Sequence, residues 1–326
     1  MDPIFILTDT NTLRCCWPLL STEPAYADAH VITIPASDEA KNLNTLTYVW
    51  QQLQEHGATR HSMLVNLGGG MVTDLGGFAA ATFKRGMRFK NIPTTLLAMV
   101  DAAIGGKTGI NFGGLKNEIG AFAEPVETII DTRMLRTLDS RNLLSGYAEM
   151  IKHALLASSA LLADILTFDI INPDYERLDT MIRQSADVKK HIVEQDPLEK
   201  NLRKALNLGH TIGHAIESLS MKRGHVMLHG YAVAHGLVAA LYMSAVAKGF
   251  PTETMRQVVT YIREHYGRPA ITCDDYPELL QLMQHDKKNT ADGINFTLLA
   301  GIGQPLINQQ ESDETILEAL DFLREG

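Results

Sequence analysis

Met63-Leu-Val-Asn-Leu67 runs straight into Gly68-Gly69-Gly70-Met-Val-Thr-Asp74-Leu-Gly76-Gly77-Phe. The apolar run reads as a short strand, and the glycines after it as the opening of a helix. Glycines at that junction let a phosphate approach backbone N–H groups at the positive helix end. The spacing is not GxGxxG, the glycines alone are a weak signal, and a turn needed only for packing is the alternative. Similar patterns lie on both sides: Ile4–Thr8, His30–Ile34, Ser62–Asn66, Phe89–Ile92 and Thr128–Asp131 read as strands, and Glu39–His56 has helical periodicity. Strands alternating with helices predict an α/β domain with a largely parallel sheet over residues 1–138. Asp9 and Asn11 follow the first strand, where such folds hold a nucleotide's ribose or adenine; turn capping is the alternative.

Two further segments of this half are dense in polar chemistry. Phe83-Lys84-Arg85-Gly86-Met-Arg88 sets three cations around a glycine. Asp101-Ala-Ala-Ile-Gly105-Gly106-Lys107-Thr-Gly109-Ile-Asn111 continues through Lys116-Asn117-Glu118, and a lysine beside glycines suits a phosphate. Gly-Gly-Lys-Thr looks like the end of a phosphate-binding P-loop, but Asp101 stands where the first glycine of GxxxxGK[ST] belongs, which excludes that motif.

Beyond Leu138 strand patterns almost vanish. Leu143–Ile165, Tyr175–Ile192, Leu202–Leu219, Gly230–Lys248 and Thr252–Tyr266 are amphipathic, and Ile294–Leu299 is one late strand, so residues 139–326 read as a mostly helical domain. A hydrophobic content of 45% over 326 residues is enough for two cores. The net charge of -9 argues against nucleic acid as partner. No apolar run of membrane-spanning length and no secretory leader is read, and three cysteines without CxxC spacing fit a reducing cytoplasm.

The helical half carries Arg203-Lys-Ala-Leu-Asn207-Leu-Gly-His210-Thr-Ile-Gly-His214-Ala-Ile-Glu217, echoed at Leu228-His229-Gly230. As one helix, it aligns Arg203, Asn207, His210 and His214 on a single stripe. Paired histidines at that spacing can bind zinc, though hydrogen-bonded core histidines are an equal alternative for the stripe alone. Gly146-Tyr-Ala-Glu149-Met-Ile-Lys152 sets Glu149 and Lys152 three apart, most simply a surface ion pair worth a few tenths of a kcal/mol. Glu149, His210 and His229 together would make a carboxylate–His–His set with a position left for substrate.

The blocks GGGMVTDLGGF, FKRGMRFKNIPTTLLAMVDAAIGGKTGIN, LKNEIGAF, GYAEMIKHALL, LRKALNLGHTIGHAIE, LHGYAVAHG and HDKKN occur in an order that resembles the dehydroquinate synthase family of sugar-phosphate cyclases over about residues 5–300. The resemblance implies a Rossmann-like α/β domain followed by a helical metal- and substrate-binding domain, and an enzyme using NAD and a divalent metal, normally zinc, with cobalt as the alternative. The reaction it implies takes 3-deoxy-D-arabino-heptulosonate 7-phosphate to 3-dehydroquinate and phosphate, within the shikimate route to aromatic amino acids. A hydroxyl is oxidised transiently by NAD, phosphate is eliminated, the hydride is returned, and an intramolecular aldol closes the ring.

Carried over by position, the resemblance makes Glu149, His210 and His229 the metal ligands, and moves His214 to the substrate side. Asp101, Lys107, Asn117, Lys152, Asn207 and His214 would surround the substrate's hydroxyls and phosphate, with Lys288 nearby, and Lys189 and Arg203 would hold its carboxylate. Asp9, Asn11, Lys41, Gly69, Gly70, Asp74, Thr94, Thr95, Thr137 and Leu138 match NAD contacts. Arg85 would reach the phosphate of a neighbouring subunit, which implies a homodimer. Ser37-Asp38, Asn142 and the tract Asn111–Asn117 depart from the family pattern near the cofactor rim. The alternatives are another sugar-phosphate cyclase, a metal-dependent polyol or glycerol-phosphate dehydrogenase, and an inactive ligand-binding module.

Overall fold

The computed structural model describes residues 2–113, 115–284 and 293–326. It forms two units, Met1–Asp139 and Ser140–Gly326.

In the first unit, strands β1 (Ile4–Asp9), β2 (His30–Ile34), β3 (Met63–Gly68), β4 (Arg88–Pro93) and β7 (Glu127–Thr128) make a parallel sheet in the order β2-β1-β3-β4-β7. The order reverses at β1: the chain adds β2 on one side and then β3 on the other. The carboxyl ends of β1 and β3 therefore flank a topological switch point, the place where such sheets bind ligands. Helix α1 (Thr10–Cys15) follows β1 directly, then the short α2 (Trp17–Leu20). Helix α3 (Leu43–Glu55) turns Leu46, Val49 and Leu53 toward Phe5, Leu7, Ile32 and Ile34 of the sheet, and α4 (Gly70–Thr82) adds Leu75, Phe78 and Ala79 to the same core. The helical pattern expected from Glu39 begins later, because Asn42 caps α3 by accepting from Thr45 N, while Ser37 caps a separate 3₁₀ turn at Asp38–Ala40. The strand expected over Thr128–Asp131 ends at Thr128, since Asp131 instead caps a 3₁₀ stretch, Thr132–Thr137.

The glycine-rich tract after Asp101 is an antiparallel hairpin, β5 (Lys107–Phe112) and β6 (Leu115–Phe122). Glycines and charges hid its alternation. Asp101 precedes it in a single π turn, Ala98–Ala102.

The second unit comprises α5 (Ser140–Ala157), α6 (Ser159–Thr167), α7 (Tyr175–Gln195), α8 (His210–Lys222), α9 (His229–Lys248), α10 (Thr252–Tyr266), α11 (Tyr276–Gln284), the hairpin β8 (Phe296–Gly301) and β9 (Gln304–Gln309), and α12 (Asp313–Glu325). The helix expected over Leu143–Ile165 is two helices, because the Ser158 hydroxyl caps α6 by accepting from Leu161 N. Helix α9 is long and apolar enough to cross a membrane by composition, which the sequence reading passed over. Most of it is buried, packed against α5, α8, α10, α12 and β8, and a helix enclosed on all sides needs no polar face. The stripe expected over 203–219 is also broken. Leu202–Asn207 is a 3₁₀ stretch and Gly209 adopts φ +78 before α8 begins, so Arg203 and Asn207 do not share a helix face with the histidines. A residue with a Cβ would be strained at that φ.

Candidate metal centre

Glu149 and Lys152 lie one turn apart on α5 and are 0% and 1% exposed, which overturns the surface ion pair expected from their spacing. Lys152 Nζ is 2.5 Å from Glu149 Oε2. Among the described residues, Oε1 accepts no hydrogen bond, and His210 Nε2 and His229 Nε2 each face it at 3.5 Å. Burial by itself would raise the Glu149 pKa. The Lys152 ammonium and the two imidazoles outweigh it and hold the carboxyl well below its usual range.

The two histidines are the first residues of their helices, and the turns before those helices set them. The left-handed Gly209 starts α8 and leaves the Leu208 carbonyl 3.1 Å from His210 Nδ1. Gly230 seats the start of α9 on α5. Its N–H donates to Ser145 Oγ at 3.1 Å, and a Cβ in its place would stand 1.8 Å from the Ser145 carbonyl oxygen. Ser145 is one turn before Glu149, so this close approach is what brings His229 to the carboxylate. His229 Nδ1 is 3.2 Å from Glu217 Oε2. Burial would lower the His229 pKa, but Glu149 and Glu217 together push it above its usual value.

This donor set fits a divalent ion. A tetrahedral zinc with ligand bonds near 2.0–2.1 Å spaces its ligand atoms about 3.3–3.4 Å apart. A distance of 3.5 Å from Oε1 to each Nε2 matches two imidazoles and a carboxylate around one ion and is too long for a good hydrogen bond. His214 closes the ring of imidazoles, with centroids 5.2 Å from His210 and 5.6 Å from His229, and nitrogens of all three lie within 4.8 Å of one another. Glu217 was given no role in the sequence reading. Its signal was present: it follows His210 by seven residues on the same face of α8.

Arg203 and Lys189 are both buried, unusual for long cations. Arg203 Nη1 donates to the Pro197 carbonyl at 2.6 Å, and Asn207 Nδ2 donates to Glu199 Oε1 at 3.2 Å. Lys288 lies outside the described residues.

In the first unit, the Asp9 carboxylate caps α1, accepting from Asn11 N, Thr12 N and Thr12 Oγ1 at 2.8, 3.0 and 2.7 Å. The turn-capping alternative is thus what its oxygens do, and Asn11 is left exposed beside them. Gly69 caps α4 at the end of β3, and among the described residues no side chain bonds to that helix start. Helix N–H groups without a side-chain cap are where an anion can bind. Thr94 N donates to the Gly68 carbonyl at 2.9 Å, and Thr95 Oγ1 accepts from Ala98 N at 3.2 Å. Lys41 is buried and joins two expected site residues, with Nζ 2.9 Å from Asp74 Oδ2 and 2.5 Å from Asn117 Oδ1. Lys107 and Arg85 are exposed. Leu138 N closes the 3₁₀ turn that contains Thr137 on the Leu135 carbonyl.

Comparison with known proteins agrees with this architecture. The family models for the N-terminal and C-terminal domains of 3-dehydroquinate synthase match residues 31–145 and 146–289. A 3-dehydroquinate synthase of Parabacteroides distasonis is 54% identical over 325 residues, covering 100% of this chain and 92% of that protein. Among solved structures, 2-deoxy-scyllo-inosose synthase complexed with carbaglucose-6-phosphate, NAD+ and Co2+ superposes with a TM-score of 0.86 at 25% identity, covering 100% of this chain and 91% of that one. The 2-epi-5-epi-valiolone synthase of Streptomyces hygroscopicus, with NAD+ and Zn2+ bound, gives 0.85 at 25% identity, covering 99% and 91%. With both halves matched in order and more than half of its residues shared with a full-length relative, the chain belongs to the 3-dehydroquinate synthase family.

Proposed function

We propose that the protein closes 3-deoxy-D-arabino-heptulosonate 7-phosphate to 3-dehydroquinate with release of phosphate, using NAD and a divalent ion held by Glu149, His210 and His229. The observation that carries the reading is the buried Glu149 Oε1, which accepts no hydrogen bond among the described residues and lies 3.5 Å from two imidazole nitrogens, in a chain of this family. When bound, the ion would polarise substrate hydroxyls and the nicotinamide would accept and return a hydride. Zinc is the ion assigned, and cobalt suits the same donors.

The remaining work falls to this chain's own residues. Lys152, paired with Glu149, would stand beside a bound ion, where its Nζ could bind a substrate oxygen. His214, partly exposed next to both ligand rings, is assigned to the substrate, and Asn207 is assigned with it. Lys189 and Arg203 supply fixed positive charge for the substrate carboxylate, where a guanidinium fork is suited. Asp101, Lys107 and Asn117 are assigned, by family position, to the hydroxyl and phosphate groups. The substrate phosphate can take the proton lost in its own elimination, so positioning and polarisation suffice without a separate base.

The first unit is assigned as the NAD domain. Gly69 and Gly70 at the start of α4 would receive the diphosphate, Asp9 and Asn11 flank the switch point, and Lys41 with Asp74, Thr94, Thr95, Thr137 and Leu138 complete the assignment. Arg85, exposed, is assigned to a neighbouring subunit's phosphate site in a homodimer. The three free cysteines suit the cytoplasmic setting assigned to it.

The test supplies zinc, catalytic NAD and the heptulosonate phosphate, and follows both products. One dehydroquinate per phosphate without accumulating NADH is expected, and His229→Ala is expected to abolish zinc binding and turnover. Phosphate without dehydroquinate, or NADH formed in step with product, would overturn the reading in favour of another cyclase or a dehydrogenase. For the dimer, Arg85→Ala mixed with Lys152→Ala is expected to recover part of the activity; none in verified heterodimers overturns sharing.

A further inference from the structure

Both proposed ligand rings have a fixed partner on the nitrogen facing away from Glu149. His210 Nδ1 meets the Leu208 carbonyl at 3.1 Å, and His229 Nδ1 meets Glu217 Oε2 at 3.2 Å. A neutral imidazole carries one N–H and one lone pair, so an acceptor at Nδ1 keeps the proton there and leaves Nε2 free to coordinate. The partner of His210 is backbone, held by the Gly209 turn, and no side-chain substitution removes it. The partner of His229 is a carboxylate whose side chain is 10% exposed. It belongs to α8, the helix that begins with His210, whereas His229 begins α9. Glu217 thus ties a ring on one helix to the helix bearing the other ring. Its charge also makes the ring a stronger donor through Nε2.

We propose that Glu217 is a positioning residue of the metal centre, holding the Nδ1 proton of His229 so that Nε2 points its lone pair at the ion shared with Glu149 and His210. This rests on the metal reading above. The role is exerted through the ring and needs no contact with substrate or cofactor. It therefore falls on metal affinity and ring tautomer.

Glu217→Ala and Glu217→Gln are compared with the unaltered chain and with His229→Ala, all without NAD or substrate. Zinc affinity is read by competition with a chromophoric chelator, thermal midpoints are read with and without zinc, and the His229 tautomer is read by 15N-imidazole NMR of the zinc-loaded protein. Glu217→Ala is expected to weaken zinc binding about 10–100-fold, and Glu217→Gln, which keeps an acceptor but loses the charge, by less. The zinc-free midpoints are expected to stay near that of the unaltered chain while the rise produced by zinc shrinks. The Nδ1–H signature of His229 is expected in the unaltered chain and to be lost or averaged in Glu217→Ala.

Zinc affinity within twofold of the unaltered chain in both variants overturns the proposal. So does an equal loss of zinc-free and zinc-bound stability at unchanged affinity, which is packing alone. If Glu217→Ala does not fold, the affinity of Glu217→Gln decides, and an unchanged value overturns the proposal. Failure of the metal reading looks different: the unaltered chain then binds no stoichiometric zinc, or His229→Ala binds it as tightly.

Discussion

In the second unit, polar groups gather as side chains on helix faces that bury everything else: Glu149 and Lys152 are 0% and 1% exposed, and the rings of His210 and His229 begin two helices beside them. In the first unit, the switch point at the ends of β1 and β3 offers backbone. Gly69 opens α4 without a side-chain cap among the described residues, and the Asp9 carboxylate at the end of β1 is spent on capping α1. A centre built of buried charges depends on every charge being balanced. A centre built of backbone depends on nothing occupying the space where a Cβ would be. The two should fail to different substitutions, and zinc binding and NAD binding should fail separately.

The largest effect is expected from Lys152→Met, which leaves the Glu149 carboxylate buried without its cation. A loss of about 3–5 kcal/mol is expected in the zinc-free protein, partly restored by zinc, which supplies positive charge to the same carboxylate. Denaturant midpoints with and without the ion check this, and a loss unaffected by zinc would separate the ion pair from the metal site.

Gly230→Ala comes next. Its Cβ would stand 1.8 Å from the Ser145 carbonyl oxygen, so α5 or α9 must shift and His229 leaves its place. Zinc stoichiometry should fall to near zero, with a stability loss of about 3 kcal/mol, while NAD affinity of the first unit is unchanged. Normal zinc content would show that close packing of α9 on α5 is not what places His229.

His235 sharpens the same contrast through pH. It is buried on α9, and burial pushes its pKa from 6.5 down to about 4. The unfolded chain takes up the proton near pH 6.5 and the folded one only near 4, so this contribution is complete above the unfolded pKa. It is lost as pH falls between the two values, by at most roughly 3 kcal/mol. His235→Leu should flatten the stability profile across that window relative to the unaltered chain, as measured by denaturant unfolding at a series of pH values.

The smallest change in stability is expected from Gly69→Ala. Its φ of −74 suits any residue, and the new Cβ would lie 3.0 Å from Thr95 Cγ2, a contact relieved by a small side-chain shift. Stability should change by less than about 1 kcal/mol, yet NAD affinity should drop about tenfold, because the methyl group occupies the approach to the helix start. Zinc affinity should not move. If calorimetry finds NAD binding unchanged, the backbone account of the first unit fails.

Much of this could be read along the chain. The alternation of short apolar runs with Glu39–His56 was enough for the parallel sheet, because strands covered on both faces have few alternatives to Val, Ile and Leu. The hairpin Lys107–Phe122 was not legible. Its glycines follow close backbone contact, not alternation: a Cβ at Gly120 would lie 2.1 Å from the Thr108 carbonyl oxygen. The stripe of Arg203, Asn207, His210 and His214 was misread because helical periodicity cannot register a single left-handed residue at Gly209. The Glu149–Lys152 pair was misread for a related reason. Spacing three apart is the same for an exposed pair and a buried one, and only the packing of other elements around α5 buries this one.

The sequence by itself determined the fold class and the family, since these depend on local pattern and on ordered motifs. Tertiary structure decided which donors meet. His229 is 80 residues from Glu149 and 19 from His210, and no periodicity relates them. They converge because Gly230 lets α9 start against Ser145 and because Gly209 starts α8 with His210 already turned inward. Tertiary packing also gave Glu217 its partner: a carboxylate on the His210 face of α8 met a ring on α9 only once those two helices packed together.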